Sequence, residues 1–131
     1  MTIALRPGRP GDAAPCGAIC YAAFNKISGE HNFPPDFPAP EAAVGFLTMA
    51  LSNPDIFSVV AEVDGRIAGS NFLWEQSSIA GVGPITVDPS LQNGQVGRRL
   101  MDAVLERAAA KSWPGVRLVH AAFHNRSLSL Y

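Results

Sequence analysis

The stretch "ITVDPSLQNGQVGRRLMDAVLERA", residues 85–108, decides how the chain is read, because it changes character halfway along. It opens on a short β-branched run, passes through Pro89, Asn93 and Gly94, and from Gln95 onward places Val96, Leu100, Met101, Val104, Leu105 and Ala108 at helical spacing. A strand therefore turns through a polar, glycine-bearing elbow into an amphipathic helix. A helix that begins at the end of a strand aims backbone N–H groups and a positive partial charge at whatever lies beyond it. Gly94 and Gly97 permit close approach, and Arg98 and Arg99 add cationic donors, so an anion, most naturally a phosphate, fits the elbow. The competing reading of the same spacing is an ordinary strand-to-helix connection with solvated arginines. Neither a P-loop nor a dinucleotide fingerprint is present, since no Gly-Lys-Ser/Thr follows and the glycines are spaced differently.

The rest of the chain sets limits on what such an elbow serves. Its 131 residues, 47% hydrophobic with a formal charge of −1, fit one α/β domain that buries its own core. That balance points away from disorder and from nucleic-acid partners. Every apolar run is broken well short of the roughly 18 residues that a membrane span requires. The start "MTIALRPGRPGD" also lacks a basic segment followed by an apolar core and a cleavage site. A cytoplasmic location with no membrane partner is the expectation. Cys16 and Cys20 lie four apart on one predicted helix and read as two small buried thiols, because further zinc ligands at recognisable spacing are missing around them and His31. His120 and His124 add no metal-like spacing, and no metal is expected.

Periodicity places the elements around the elbow. Residues 2–5 read as a strand; Asp12 reads as a helix cap, followed by Cys16, Ile19, Cys20, Ala23 and Phe24 on one stripe to about Asn25. Four prolines between residues 34 and 40 exclude regular structure there, and this loop, with His31, Phe33, Asp36 and Phe37, is placed to cover an acceptor site or to serve structure alone. Pro40 and Glu41 open a second helix with Val44, Leu47, Thr48 and Leu51 on one face, closed by Asn53-Pro54. Two β-rich runs flank Asp64-Gly65, a dipeptide suited to a two-residue hairpin turn. Residues 79–87 form the next strand of the meander, weakened by Gly81, Gly83 and Pro84. The third helix runs to Trp113, and residues 116–123 form a buried strand. Strand, helix and strand in that order predict a parallel β-α-β crossover.

At the elbow the sequence resembles the GCN5-related N-acetyltransferase (GNAT) family, in which a strand and a V-x-P-like turn lead into Q/R-x-x-G-x-G/A and a helix. "VDPSLQNGQVGRRLM" matches that pattern, with Gln92 at its first position and Gly97 at its last. The middle glycine is replaced by Gln95, and Gly94 stands one place early. The order of elements over residues 2–123 also resembles the family, which implies a mixed central sheet with an antiparallel meander, a parallel β-α-β unit and flanking helices. The resemblance implies acetyl-CoA as donor. The backbone of Ile85, Thr86 and Val87 would pair with its pantetheine arm, and Gln92, Asn93, Gly94, Gln95, Val96, Gly97 and Arg98 would hold its pyrophosphate. In the tail "HNRSLSLY", Asn125 and Tyr131 resemble the family's next signature, with Tyr131 as general acid for the departing thiolate, at a spacing one residue shorter than the commonest.

Acetyl transfer needs a neutral amine at the thioester carbonyl, a route for its proton and a donor near the sulfur. Tyr131 is the candidate donor, with a packed aromatic as its structural alternative. The family's early-strand carboxylate has no counterpart in "IAGVG", so Glu75, at the end of the hairpin, is the candidate base, acting through water, against a role as a strand-end charge. The expected activity is acetyl transfer to an amine of a small molecule or peptide; the alternative is a non-catalytic acyl-CoA-binding or regulatory module. After residue 123 only eight residues remain, and the family's later strands are expected to be missing. The last strand is then expected either to belong to a longer chain or to be completed in a homodimer.

Overall fold

A computed structural model describes residues 2–30, 39–75, 80–91, 95–111 and 116–118, with side chains assigned except at 26–30 and 116–118. The sheet is built on a hairpin. Strand β2 (Ile56–Val63) pairs antiparallel with β3 (Arg66–Trp74) across Asp64-Gly65. Both turn residues have positive φ, 52° and 84°, as the tight turn demands, and Gly65 carries the larger without a Cβ penalty. The short first strand, β1 (Ile3–Pro7), lies antiparallel on the outer edge of β2. It runs two residues beyond the sequence expectation and ends on Pro7, a residue that an edge tolerates because no ladder donor is needed there.

On the other side of β3 the third run of the meander divides in two. β4 (Ala80–Val82) and β5 (Thr86–Val87) both pair antiparallel with β3. β6 (Val116–Leu118) then pairs with β4 in parallel, from Ala80 opposite Val116 to Val82 opposite Leu118. The sheet order is β1-β2-β3-β4-β6, with β5 beside β3 off that path. The expected strand over 116–123 is described only as far as Leu118.

Helices cover both faces. α1 (Ala13–Glu30) and α2 (Pro40–Ser52) enclose one core with Cys16, Cys20, Leu47, Val60 and Phe72, and α3 (Val96–Ala110) encloses a second with Leu73, Val82, Val87, Leu100 and Val104. α1 continues past Asn25 to Glu30, since the first proline of the next segment is Pro34 and a single glycine, Gly29, costs a helix about 1 kcal/mol without ending it. In α2 the buried stripe is Ala43, Leu47, Ala50 and Leu51. The expected Thr48 faces solvent instead, its hydroxyl donating to the Val44 carbonyl one turn back at 2.8 Å. α1 and α2 approach closely where Gly17 meets Val44: a Cβ on Gly17 would strike the Val44 backbone. Leu105 of α3 lies outside the buried stripe and is 42% exposed.

Asp12 does not cap α1 as expected. It closes a 3-10 turn (Pro10–Asp12) and reaches backward, accepting the Arg9 amide at 2.9 Å and a two-pronged bond from the Arg6 guanidinium at 2.8 and 2.9 Å. Arg6 also donates to Glu62 at 3.2 Å. The three side chains fasten the entry of α1 to β1 and β2. The fork holds the Asp12 carboxyl below the usual carboxylate range. Cys16 and Cys20 are buried free thiols, as the sequence implied, and burial pushes the Cys16 thiol up to about 11, leaving it inert.

Candidate active site

The break between β4 and β5 is a shift of register. Leu73 faces Val82 and Ser70 faces Thr86, so three residues of one strand, 83–85, stand opposite two of the other, Asn71 and Phe72. That is a β-bulge, which bends its strand and re-aims the residues beyond it. Two groups hold its start: the Gly83 amide donates to the Phe72 carbonyl at 2.9 Å, and the Trp74 indole donates to the Gly83 carbonyl. Gly83, at φ 113°, occupies backbone space that a side chain would strain. Beyond the bulge β5 lies close against β3. A Cβ on Gly69 would land on the Thr86 carbonyl oxygen. Thr86 and Val87 are buried, and Ile85 is partly buried against the α3-side core.

Among the described residues the sheet opens at this point. β4 has neighbours on both sides, β3 and β6, whereas β5 has β3 alone among the described strands. The chain then turns through Asp88, whose amide bonds to the Ala68 carbonyl and whose carboxylate accepts from the Ser90 amide and hydroxyl at 3.0 and 2.8 Å. A short 3-10 turn, Pro89–Leu91, comes next. The described residues resume at Gln95, and α3 starts at Val96.

At the start of α3 the residue standing for the missing glycine does what glycine would do. Gln95 has φ 71°, the left-handed region, and its side chain makes no cap bond. The first intrahelical bond is from the Arg99 amide to the Gln95 carbonyl at 3.0 Å, which leaves the amides of Val96, Gly97 and Arg98 without intrahelical acceptors. No acidic side chain occupies the first turn, and Gln95, Arg98 and Arg99 are exposed. The first turn therefore presents N–H groups and two guanidinium-bearing side chains with nothing negative of its own. Gln92, Asn93 and Gly94 lie outside the described residues, as do Asn125 and Tyr131, His31 and its loop, and His120 and His124.

Glu75 sits one residue past β3 and engages Arg107 of α3. Its two carboxylate oxygens accept from Nε and Nη2 at 3.0 and 3.2 Å, and the guanidinium lies 4.9 Å from the centroid of the Phe57 ring. The hydrogen bonds to Glu75 raise the Arg107 pKa. This pair fastens the last turns of α3 to the ends of β2 and β3, an arrangement that the sequence reading of Glu75 as a base did not include. Sequence reasoning also passed over Asn71 and Trp74. A buried Asn inside an apolar strand was the available signal for the first, and Gly83-Pro84 in a strand was the signal for the bulge. Among the described residues, no group of three His, Cys, Asp or Glu is placed to hold a metal ion, and no helix is long and apolar enough to cross a membrane.

The family model described as acetyltransferase (GNAT) family matches residues 21–131. No curated protein sequence matches the chain. Among solved structures, a Bacillus halodurans protein is similar at a TM-score of 0.82 and 14% identity, over 98% of this chain and 88% of that one. A ribosomal-protein-alanine N-acetyltransferase from Brucella melitensis biovar Abortus is similar at 0.75 and 16%, over 99% and 89%. A GNAT-family acetyltransferase from Streptococcus pneumoniae is similar at 0.68 and 22%, over 99% and 81%. At these identities the likeness is one of fold.

Proposed function

This chain belongs to the GNAT acetyltransferase family, and from that premise we propose that it transfers an acetyl group from acetyl-CoA to an amine of a small molecule or peptide. The observation that carries the reading is the opening beside β5 followed at once by the uncapped start of α3. An extended thioester arm pairs, as an added strand, with the edge of residues 85–87 that no described strand covers. Its pyrophosphate meets the amides of residues 95–98 and the charges of Arg98 and Arg99, completed by Gln92, Asn93 and Gly94. We read α3 as the crossover of a β-α-β unit that delivers β6 beside β4, so that the arm enters beside β5.

In the proposed reaction a neutral amine attacks the thioester carbonyl, the tetrahedral intermediate expels CoA thiolate, and the Tyr131 hydroxyl supplies the proton that the sulfur takes up. Asn125 supports the donor side. Glu75, through water, is the proposed acceptor of the amine proton. The pairing of Glu75 with Arg107 favours a second reading, a non-catalytic acyl-CoA-binding module, because that carboxylate already has structural work. Titration with acetyl-CoA followed by a thiol-release assay over an amine panel separates the two. Binding with amine-dependent thiol release supports the transferase; binding without release supports the module; failure to bind acetyl-CoA refutes both.

A further inference from the structure

A register shift leaves backbone groups that an unbroken ladder would have satisfied, and here two side chains of β3 take them up from opposite faces of the sheet. Toward α3, the fully buried Asn71 accepts the Phe72 amide on Oδ1 at 2.9 Å and donates from Nδ2 to the Leu100 carbonyl at 3.3 Å. Phe72 N–H points to the same side as its carbonyl, which receives the Gly83 amide, so Asn71 stands in for a ladder acceptor on the bulged side. Toward α1 and α2, Trp74 gives its indole N–H to the Gly83 carbonyl and packs its rings on Phe46, centroids 6.2 Å apart. Gly83 is consequently held by its amide and its carbonyl together. The direction in which the chain leaves toward Ile85 is fixed at that residue.

We propose that Trp74 is a positioning residue for the donor: by holding the Gly83 carbonyl, its indole N–H keeps the opening beside residues 85–87 shaped for an extended thioester arm. The inference rests on the reading of that opening as the acetyl-CoA site. Losing the N–H does not slip the register, because a one-residue slip would turn Val87 out of the α3-side core and Thr86 into it. The change is local. An orphaned carbonyl seeks another donor, and the backbone of 83–85 loosens while both cores keep their contacts. The consequence is read in affinity for the arm rather than in folding.

The test replaces Trp74 in two ways. Trp74→Phe removes the donor with part of the ring; 3-benzothienylalanine at position 74 exchanges only the N–H for sulfur and keeps the shape. Each protein is titrated with acetyl-CoA and with ADP, which carries the pyrophosphate and lacks the arm. Both variants are expected to raise the acetyl-CoA Kd about 5- to 10-fold, the scale of one neutral hydrogen bond, and to leave the ADP Kd within about twofold. Unchanged acetyl-CoA affinity in the benzothienyl protein overturns the proposal, as does an equal loss for ADP, which marks a general structural defect. If the unsubstituted protein binds no acetyl-CoA, the assignment of the opening falls and this inference falls with it.

Discussion

Gln95→Gly tests the elbow most directly, because the residue holds a left-handed conformation at the head of α3. A non-glycine residue in that region costs about 1–2 kcal/mol. Glycine removes the strain and gives back about 0.5–1 kcal/mol in extra freedom of the unfolded chain. The net expectation is a gain of about 0.5–1 kcal/mol. With an unfolding entropy of about 2.1 cal/mol/K per residue, a chain of this length gains roughly 2–4 °C in Tm. Calorimetry and urea unfolding give the two numbers independently. Gln95→Ala is the control, since alanine suffers the same left-handed penalty, and it should stay within about 0.5 kcal/mol of the parent. A loss of stability in Gln95→Gly, of the size seen when glycine enters an ordinary exposed position, refutes the assigned conformation. With it would go the role of Gln95 as a stand-in for glycine at the head of α3.

Three further outcomes are expected. Gly69→Ala drives a methyl group into the Thr86 carbonyl and against Leu100; urea unfolding should show a loss of about 2 kcal/mol or more, and a neutral result would mean that β5 does not lie so close to β3. Asp12→Ala should cost about 2 kcal/mol at neutral pH, as two charge-assisted bonds from Arg6 are lost. Because Arg6 depresses the folded pKa of Asp12, that contribution is present above the ordinary carboxylate value of 3.8 and is lost as pH falls through the lower folded value; unfolding at pH 7 and pH 3 should show the parent converging on Asp12→Ala, and a constant gap counts against the pair. Tyr131→Phe should keep acetyl-CoA affinity and slow turnover about 100-fold, with equal rates assigning Tyr131 to packing.

Local chemistry was legible in the sequence wherever one segment carried the whole signal. Asp64-Gly65 announced its turn, the 3.6-residue repeat from Val96 announced α3, and the spacing of Cys16 and Cys20 placed both thiols inside. The failures share a cause. Whether residues 79–87 form one strand or two depends on how 83–85 meet Asn71 and Phe72 across the sheet, and no local window contains that pairing. Asp12 reads as a forward cap because its neighbours in sequence are helical; Arg6, arriving from β1, draws it backward. Leu105 fits the apolar stripe of a helical wheel, yet it lies outside the buried face of α3. For the candidate site, the order of strand and helix was visible in composition, while Trp74 acts on a carbonyl nine residues away and Asn71 bonds both its neighbour's amide and a carbonyl of α3.

Among the described residues, the two cores on either side of the sheet share no side chain. Substitutions in one should therefore combine with substitutions in the other as independent quantities, so that packing under α1 and α2 can drift or be redesigned while the packing under α3 stays as it was. The bulge is the exception. Asn71 from one face holds the Phe72 amide, and Trp74 from the other holds the carbonyl of Gly83, whose amide bonds to Phe72 in turn, so a double-mutant cycle across the sheet at these positions should fail to add where cycles elsewhere succeed.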